Sequence, residues 1–145
     1  MAAESAVTLK HADGQAISTD HPLQLTFDFQ QNENPIRMEG FTIQAPLESV
    51  NKIADGMILV EIEGQDEPLQ VPIVNYYRSR RAASSPYVEM DVRGNLIVHL
   101  GDQIAVKKVT IKVTKTTQAQ GSLVEISKVE FLNDMETRIP EPEMN

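Results

Sequence analysis

Apolar residues in this chain recur at every second position, and that period limits most strongly what it can fold into. Leu23, Leu25, Phe27 and Phe29 alternate with Gln24, Thr26 and Asp28, so an extended chain puts the apolar side chains on one face and the polar ones on the other. Ile58-Val60-Ile62, Val88-Met90-Val92, Leu96-Val98-Leu100 and Val109-Ile111-Val113 repeat the pattern. About eight such strands are predicted, rich in the β-branched residues that suit a half-buried pleated surface. Turn-forming sequences separate them: Asn32 to Pro35, Asp55-Gly56, Glu63 to Asp66, Arg93 to Asn95, Gly101-Asp102 and Thr116 to Gly121. No stretch carries an apolar stripe of helical period. The expected fold is therefore all-β, an antiparallel β-sandwich of jelly-roll type. Its inward face should hold Leu25, Phe27, Phe29, Ile58, Val60, Val98, Leu100, Val109, Ile111 and Val113.

Two places break the alternation. Across Gly40 in Ile36 to Ile43 the apolar parity switches from even to odd, which is how a bulge or bend reads in sequence. In Leu123 to Phe131, Leu123, Val129 and Phe131 share one parity, and without a bulge Glu125 would point inward with them. A buried carboxylate needs a partner or a cation. After Leu132 the pattern stops, and Asn133 to Asn145 is polar with Pro140 and Pro142. Residues 1–132 read as one sandwich domain and 133–145 as an extended tail or linker.

Composition excludes several classes of function. With no Cys, the chain has no disulfide framework, thiolate metal site or cysteine nucleophile. Its 21 Asp and Glu against 13 Lys and Arg give a net charge of −8, the wrong sign for displacing counterions from nucleic acid. Apolar runs as short as Met57 to Val60 insert into no bilayer as helices, and Met1 to Thr8 lacks the basic and apolar segments of a Sec-type signal. His11, His21 and His99 have no metal-site spacing, and phosphate-loop and hydrolase motifs are missing. The pairs Glu61 with Glu63 and Glu89 with Asp91 read as a solvated strand face, not as general acid and base. A catalytic role is not expected.

One segment looks functional. All three tyrosines fall between Asn75 and Tyr87 together with Arg78, Arg80 and Arg81. Tyr76, Tyr77, Arg78, Arg80, Arg81 and Tyr87 are the candidate ligand-binding residues, since rings offer flat faces and guanidinium groups offer forks of donors. The alternative is that a tyrosine packs on the core edge while the arginines pair with nearby carboxylates.

The last third of the chain, Gly94 to Asp102, Val106 to Val113 and Leu123 to Phe131, resembles the end of a discoidin (factor V/VIII type C) domain. That family shows a strand ending in Leu-Gly, a Val-x-x-Ile-x-Ile strand and a closing Ala-Glu-Ile-x-x-Val-x-Phe strand. Leu9 to Gln15 is similar to its opening Asp-Gly loop and Leu25 to Phe29 to its first core strand. The chain departs from the family in lacking Trp and a Cys pair, and Leu47 to Pro86 matches no pattern. The resemblance implies a galactose-binding-like jelly roll whose loops at one end bind glycans, lipid head groups or protein surfaces. It also implies a structural Ca²⁺ site using Asp13 of the opening loop and Glu125 of the closing strand, with Val124 in place of the usual Ala; a bulge that turns Glu125 to solvent, or a pairing with Lys10, is the alternative. Two functions stay open: a surface recognition or adhesion module that binds carbohydrate, or a structural component of a virus particle, such as a phage capsid-decoration or tail protein, that uses the sandwich to contact other virion proteins. The place of action is accordingly an extracellular surface or a virion.

Overall fold

A computed structural model of the chain describes residues 2–3, 7–11, 14–29, 36–73, 86–118, 121–132 and 143–144. Eleven antiparallel strands run through them: β1 Ala2–Ala3, β2 Val7–Lys10, β3 Leu23–Asp28, β4 Ile36–Gln44, β5 Ile53–Ile62, β6 Leu69–Ile73, β7 Tyr87–Met90, β8 Leu96–Thr116, β9 Leu123–Ile126, β10 Lys128–Leu132 and β11 Glu143–Met144. No α-helix occurs among the described residues. The all-β antiparallel sandwich expected from the alternation is the fold, closed far enough to approach a barrel. All ten residues assigned to the inward face are buried.

The 21-residue strand β8 organises the molecule. Its first part, Leu96 to His99, pairs with β4 on one side and β7 on the other, and its second part pairs with β3 and β5. β10 extends the first group beyond β4, and β6 extends the second beyond β5. One continuous strand thus belongs to both layers. The bend lies where Met38 faces Ile104 and Gly40 faces His99, so that two steps of β4 are matched by five of β8. Gly101, with φ at 119°, supplies backbone there that other residues rarely adopt. A second irregularity follows: Glu61 faces Lys108 while Ile62 faces Val106, leaving Lys107 as the extra residue of a bulge. The bulge shifts burial in β8 from even positions, Leu96 to Val106, to odd ones, Val109 to Val113.

Gly101-Asp102 is therefore not the turn predicted from sequence. It is the bend inside β8, and Asp55-Gly56 likewise lies within β5 at a register shift, with Gly56 facing Val113. Both dipeptides have turn chemistry, but the ladders on either side hold them in strands. Val92, expected to continue an alternating strand, is instead fully exposed in the turn after β7. The parity switch at Gly40 is present as read. A Cβ there would lie 2.0 Å from the Val98 carbonyl oxygen, so the crossing of β4 and β8 requires a residue without a side chain.

Phe131 centres the core. Its ring stands 5.1 Å from Phe27, 5.2 Å from Phe29 and 5.3 Å from Phe41, the first two edge-on, the geometry that aromatic quadrupoles favour. Beside this core β2 and β9 form a separate pair that contributes buried Leu9, Val124 and Ile126. Between β9 and β10 the inward parity changes at Ser127, whose amide and hydroxyl both donate to the Gln44 carbonyl, at 2.7 Å and 3.1 Å. Val124 and Ile126 point inward before it, Val129 and Phe131 after it. Glu125 consequently faces away from the core. At the chain's other end β11 pairs with Leu25 and Thr26 on the outer edge of β3.

Candidate functional site

Tyr76, Tyr77, Arg78, Arg80 and Arg81 lie outside the described residues. Tyr87, the remaining candidate, opens β7 directly opposite His99 on β8. Cross-strand neighbours on one face stand close enough for their rings to meet, and these two stack with centroids 4.5 Å apart and planes 19° from parallel. The His99 Nε2 lies 3.0 Å from Glu89 Oε1, a hydrogen bond that becomes an ion pair when the imidazole is protonated. Tyr87, His99 and Glu89 thus form an ordered patch on the outer face of the first layer, next to where the Tyr- and Arg-rich segment joins β7. The acidic pairs noted in the sequence are not paired with each other. Glu61 lies 3.9 Å from Lys108, Glu89 serves His99, and Asp91 serves the turn after β7.

A second structured surface lies at one end of the sandwich, around residues 45–52. Ala45 donates its amide to Asn95 Oδ1 at 3.0 Å, and Lys52 Nζ donates to the Arg93 carbonyl at 2.5 Å, which ties the segment to the start of β8. Lys52 and Thr117 exchange backbone and hydroxyl bonds at 2.9 Å and 3.0 Å, and the Thr117 hydroxyl donates to the Val50 carbonyl at 2.6 Å. Both ends of β8 are therefore fastened to one short loop. The turn it meets is itself rigid, because Asp91 Oδ1 accepts the amides of Arg93 and Asn95, each at 2.9 Å, while Oδ2 accepts Asn95 Nδ2 at 3.1 Å. Burial works to raise the Asp91 pKa, but these amide hydrogen bonds together with the Arg93 charge outweigh it and leave the carboxyl below its ordinary value. Three apolar side chains project from this frame: Leu47 is 68% exposed, Val50 60% and Val92 103%.

Glu125 completes the end. Ser49 Oγ donates to its Oε1 at 2.5 Å, Asn51 Nδ2 donates at 3.4 Å, and the Glu125 amide donates to the Asn51 carbonyl at 2.9 Å. The Ser49 hydroxyl first and the Asn51 amide second hold the carboxyl below its ordinary value. Ser49 Oγ also accepts the Asn51 amide at 3.0 Å, so one carboxylate orders the whole of Ser49 to Asn51. Between Glu125 and the Gly94 turn opens a narrow cleft with room for about one water molecule, walled by Ile43, Ala45, Ile53, Leu96 and Ile126.

This surrounding bears on the calcium expectation. Calcium takes oxygens with free lone pairs; Glu125 Oε1 is already engaged by an O–H and an N–H₂ group, which leaves Oε2. Asp13 lies outside the described residues, and no cluster of three His, Asp or Glu able to hold a metal occurs among those described.

Comparison with protein-family models, curated proteins and solved structures finds no match. What the residues themselves do is thus the basis for function. Ser49, Asn51, Lys52 and Asn95 did not stand out in the sequence because the contacts that give them roles join positions 41 to 76 apart. The one available signal was Glu125 interrupting an apolar strand.

Proposed function

We propose that the chain is a non-catalytic recognition module of the galactose-binding-like, discoidin type, and that it binds carbohydrate weakly through loops at one end of the sandwich. One observation carries this reading. The segment 45–52 is fastened to both ends of β8 and to β9, yet it leaves Leu47 and Val50 exposed, and its Ser49 and Asn51 hold the Glu125 carboxylate that edges a small cleft. Exposed apolar side chains on a fixed loop are positioned to meet a ligand without an ordering cost to the loop. The combination also suits sugars, which present C–H faces to apolar groups and hydroxyls to a few placed polar ones. The patch of Tyr87, His99 and Glu89 supplies a second polar and aromatic surface, for which the Tyr76 to Arg81 segment remains the proposed continuation.

An immobilised glycan panel tests this. The intact chain should retain a subset of glycans, and Leu47→Ala with Val50→Ala should abolish retention while the β-sheet circular dichroism persists. A chain that binds no glycan but is incorporated stoichiometrically into virus particles would overturn the reading in favour of a structural role.

A further inference from the structure

We propose that the cleft beside Glu125 seats a single hydrogen-bond-donating group of the ligand, a hydroxyl or an amine, so that the module selects neutral or amine-bearing sugars over sugars bearing a carboxylate. This rests on the carbohydrate reading above and specifies the class of sugar.

The argument begins with what Glu125 has left to offer. Its Oε1 is engaged by Ser49 and Asn51. Among the described residues Oε2 has no partner. An ionised carboxylate is an acceptor only, and the two donors on Oε1 favour that ionised form. Oε2 is therefore an acceptor for water, for a ligand's O–H or N–H, or for a cation.

Size sharpens the choice. The cleft admits about one water-sized group, too little for a sugar ring. A ring must stay outside it. Only a protruding hydroxyl, hydroxymethyl or amino group enters. The walls are Ile43, Ile53, Leu96 and Ile126 together with Gln44, and Glu125 is the one charged group among them, so the entering group finds its charge-assisted bond there. An ammonium gains most there, and a second carboxylate faces a like charge.

A matched series tests the inference: methyl β-galactopyranoside, its 6-amino-6-deoxy analogue and the corresponding methyl galacturonoside, titrated against the intact chain by ligand-observed NMR. The amine should bind tightest, the neutral sugar next, and the uronate at least about tenfold more weakly than the amine, the factor that 1.4 kcal/mol represents. Glu125→Gln keeps the size and an acceptor for Ser49, and it should level the series. Ser49→Ala keeps the carboxylate but loosens the loop, so it should weaken all three alike and preserve their order. Equal binding of uronate and amine by the intact chain overturns the inference while leaving carbohydrate binding in place. A series whose order survives Glu125→Gln overturns it as well. Failure of all three sugars, together with an empty glycan panel, removes the underlying reading and this one with it.

Discussion

The patch on β7 and β8 and the end around residues 45–52 are both held in place, but by different means. Tyr87, His99 and Glu89 lie on adjacent strands, and pairing alone brings them together. The 45–52 segment has no strand partner in its own right, and eight hydrogen bonds to residues 93, 95 and 117 and to Glu125 fix it. Ladder geometry therefore positions the first surface almost regardless of side-chain detail, whereas the second depends on individual polar groups. A patch built on a sheet is robust and hard to tune; a tethered loop is adjustable one residue at a time, which is what a specificity-determining surface requires.

Both surfaces rest on β8, so the largest effect should come from damage to that strand. Ile111 is fully buried between Leu25 of β3 and Ile58 of β5. Ile111→Ala should cost about 2–5 kcal/mol in chemical denaturation, and it should weaken the patch and the loop end together. If the loop end lost its amide protection while the patch kept its Tyr87–His99 contact, the two would be independent of the shared strand and the comparison would fail.

A smaller effect should fall on one surface only. Asn95→Ala leaves the Ala45 amide without its acceptor and removes a donor from Asp91, a loss of about 1–3 kcal/mol. Hydrogen exchange should rise across 45–52 and 91–95 and stay unchanged at Tyr87 and His99. Acid reaches the same contacts. Asp91 and Glu125 are both held below their ordinary values, so the folded state binds these protons less readily than the unfolded chain. Their stabilisation is fully present above the unfolded carboxylate values, about 3.9 and 4.3, and is lost as pH falls through and below them. Exchange protection in 45–52 should therefore decline below about pH 4, ahead of global unfolding, and Glu125→Gln with Asp91→Asn should remove that early step.

Which parts the sequence disclosed follows from the same contrast. Alternation of apolar residues reports which face of a strand is buried, so Leu25 to Phe29 and Val109 to Val113 were legible. So was the switch at Gly40, because a glycine between two parities has few other meanings. The continuity of β8 through Gly101 was not legible. Gly-Asp is a turn former locally, and only the ladders with β4 and β5 keep it extended. Glu125 was legible as an anomaly, and a bulge that turns it to solvent was among its readings; that the parity changes at Ser127 was not, because it depends on the distant Gln44 carbonyl. The roles of Ser49, Asn51 and Asn95 were invisible because Ser and Asn in a loop are ordinary, and what distinguishes them is which strand ends they reach.

The ring pair should add a measurable increment to the order that strand pairing already imposes on the sheet surface. In a double-mutant cycle of Tyr87→Ala and His99→Ala, the coupling energy should be about 0.5–1.5 kcal/mol, the range for stacked aromatic pairs, with the loop end unaffected. A coupling near zero would mean that strand pairing alone holds β7 and that the stack adds no order to the patch.

The smallest expected effect concerns calcium, and it bears on how the loop end is held. The donors at Glu125, Ser49 Oγ and Asn51 Nδ2, both engage Oε1. If hydrogen bonds to Glu125 are what order Ser49 to Asn51, the melting temperature should be the same in excess calcium and in chelator. An ion bound only by the native state must raise the melting temperature by mass action, by about 2.7 kcal/mol of stability at a hundredfold excess over its dissociation constant. A rise of that order, abolished by Asp13→Asn, would show that the opening loop reaches Glu125 after all and that an ion, not Ser49 and Asn51, organises this end. The loop would then be fixed by a single removable centre, and chelation would melt it while leaving the Tyr87–His99 stack intact.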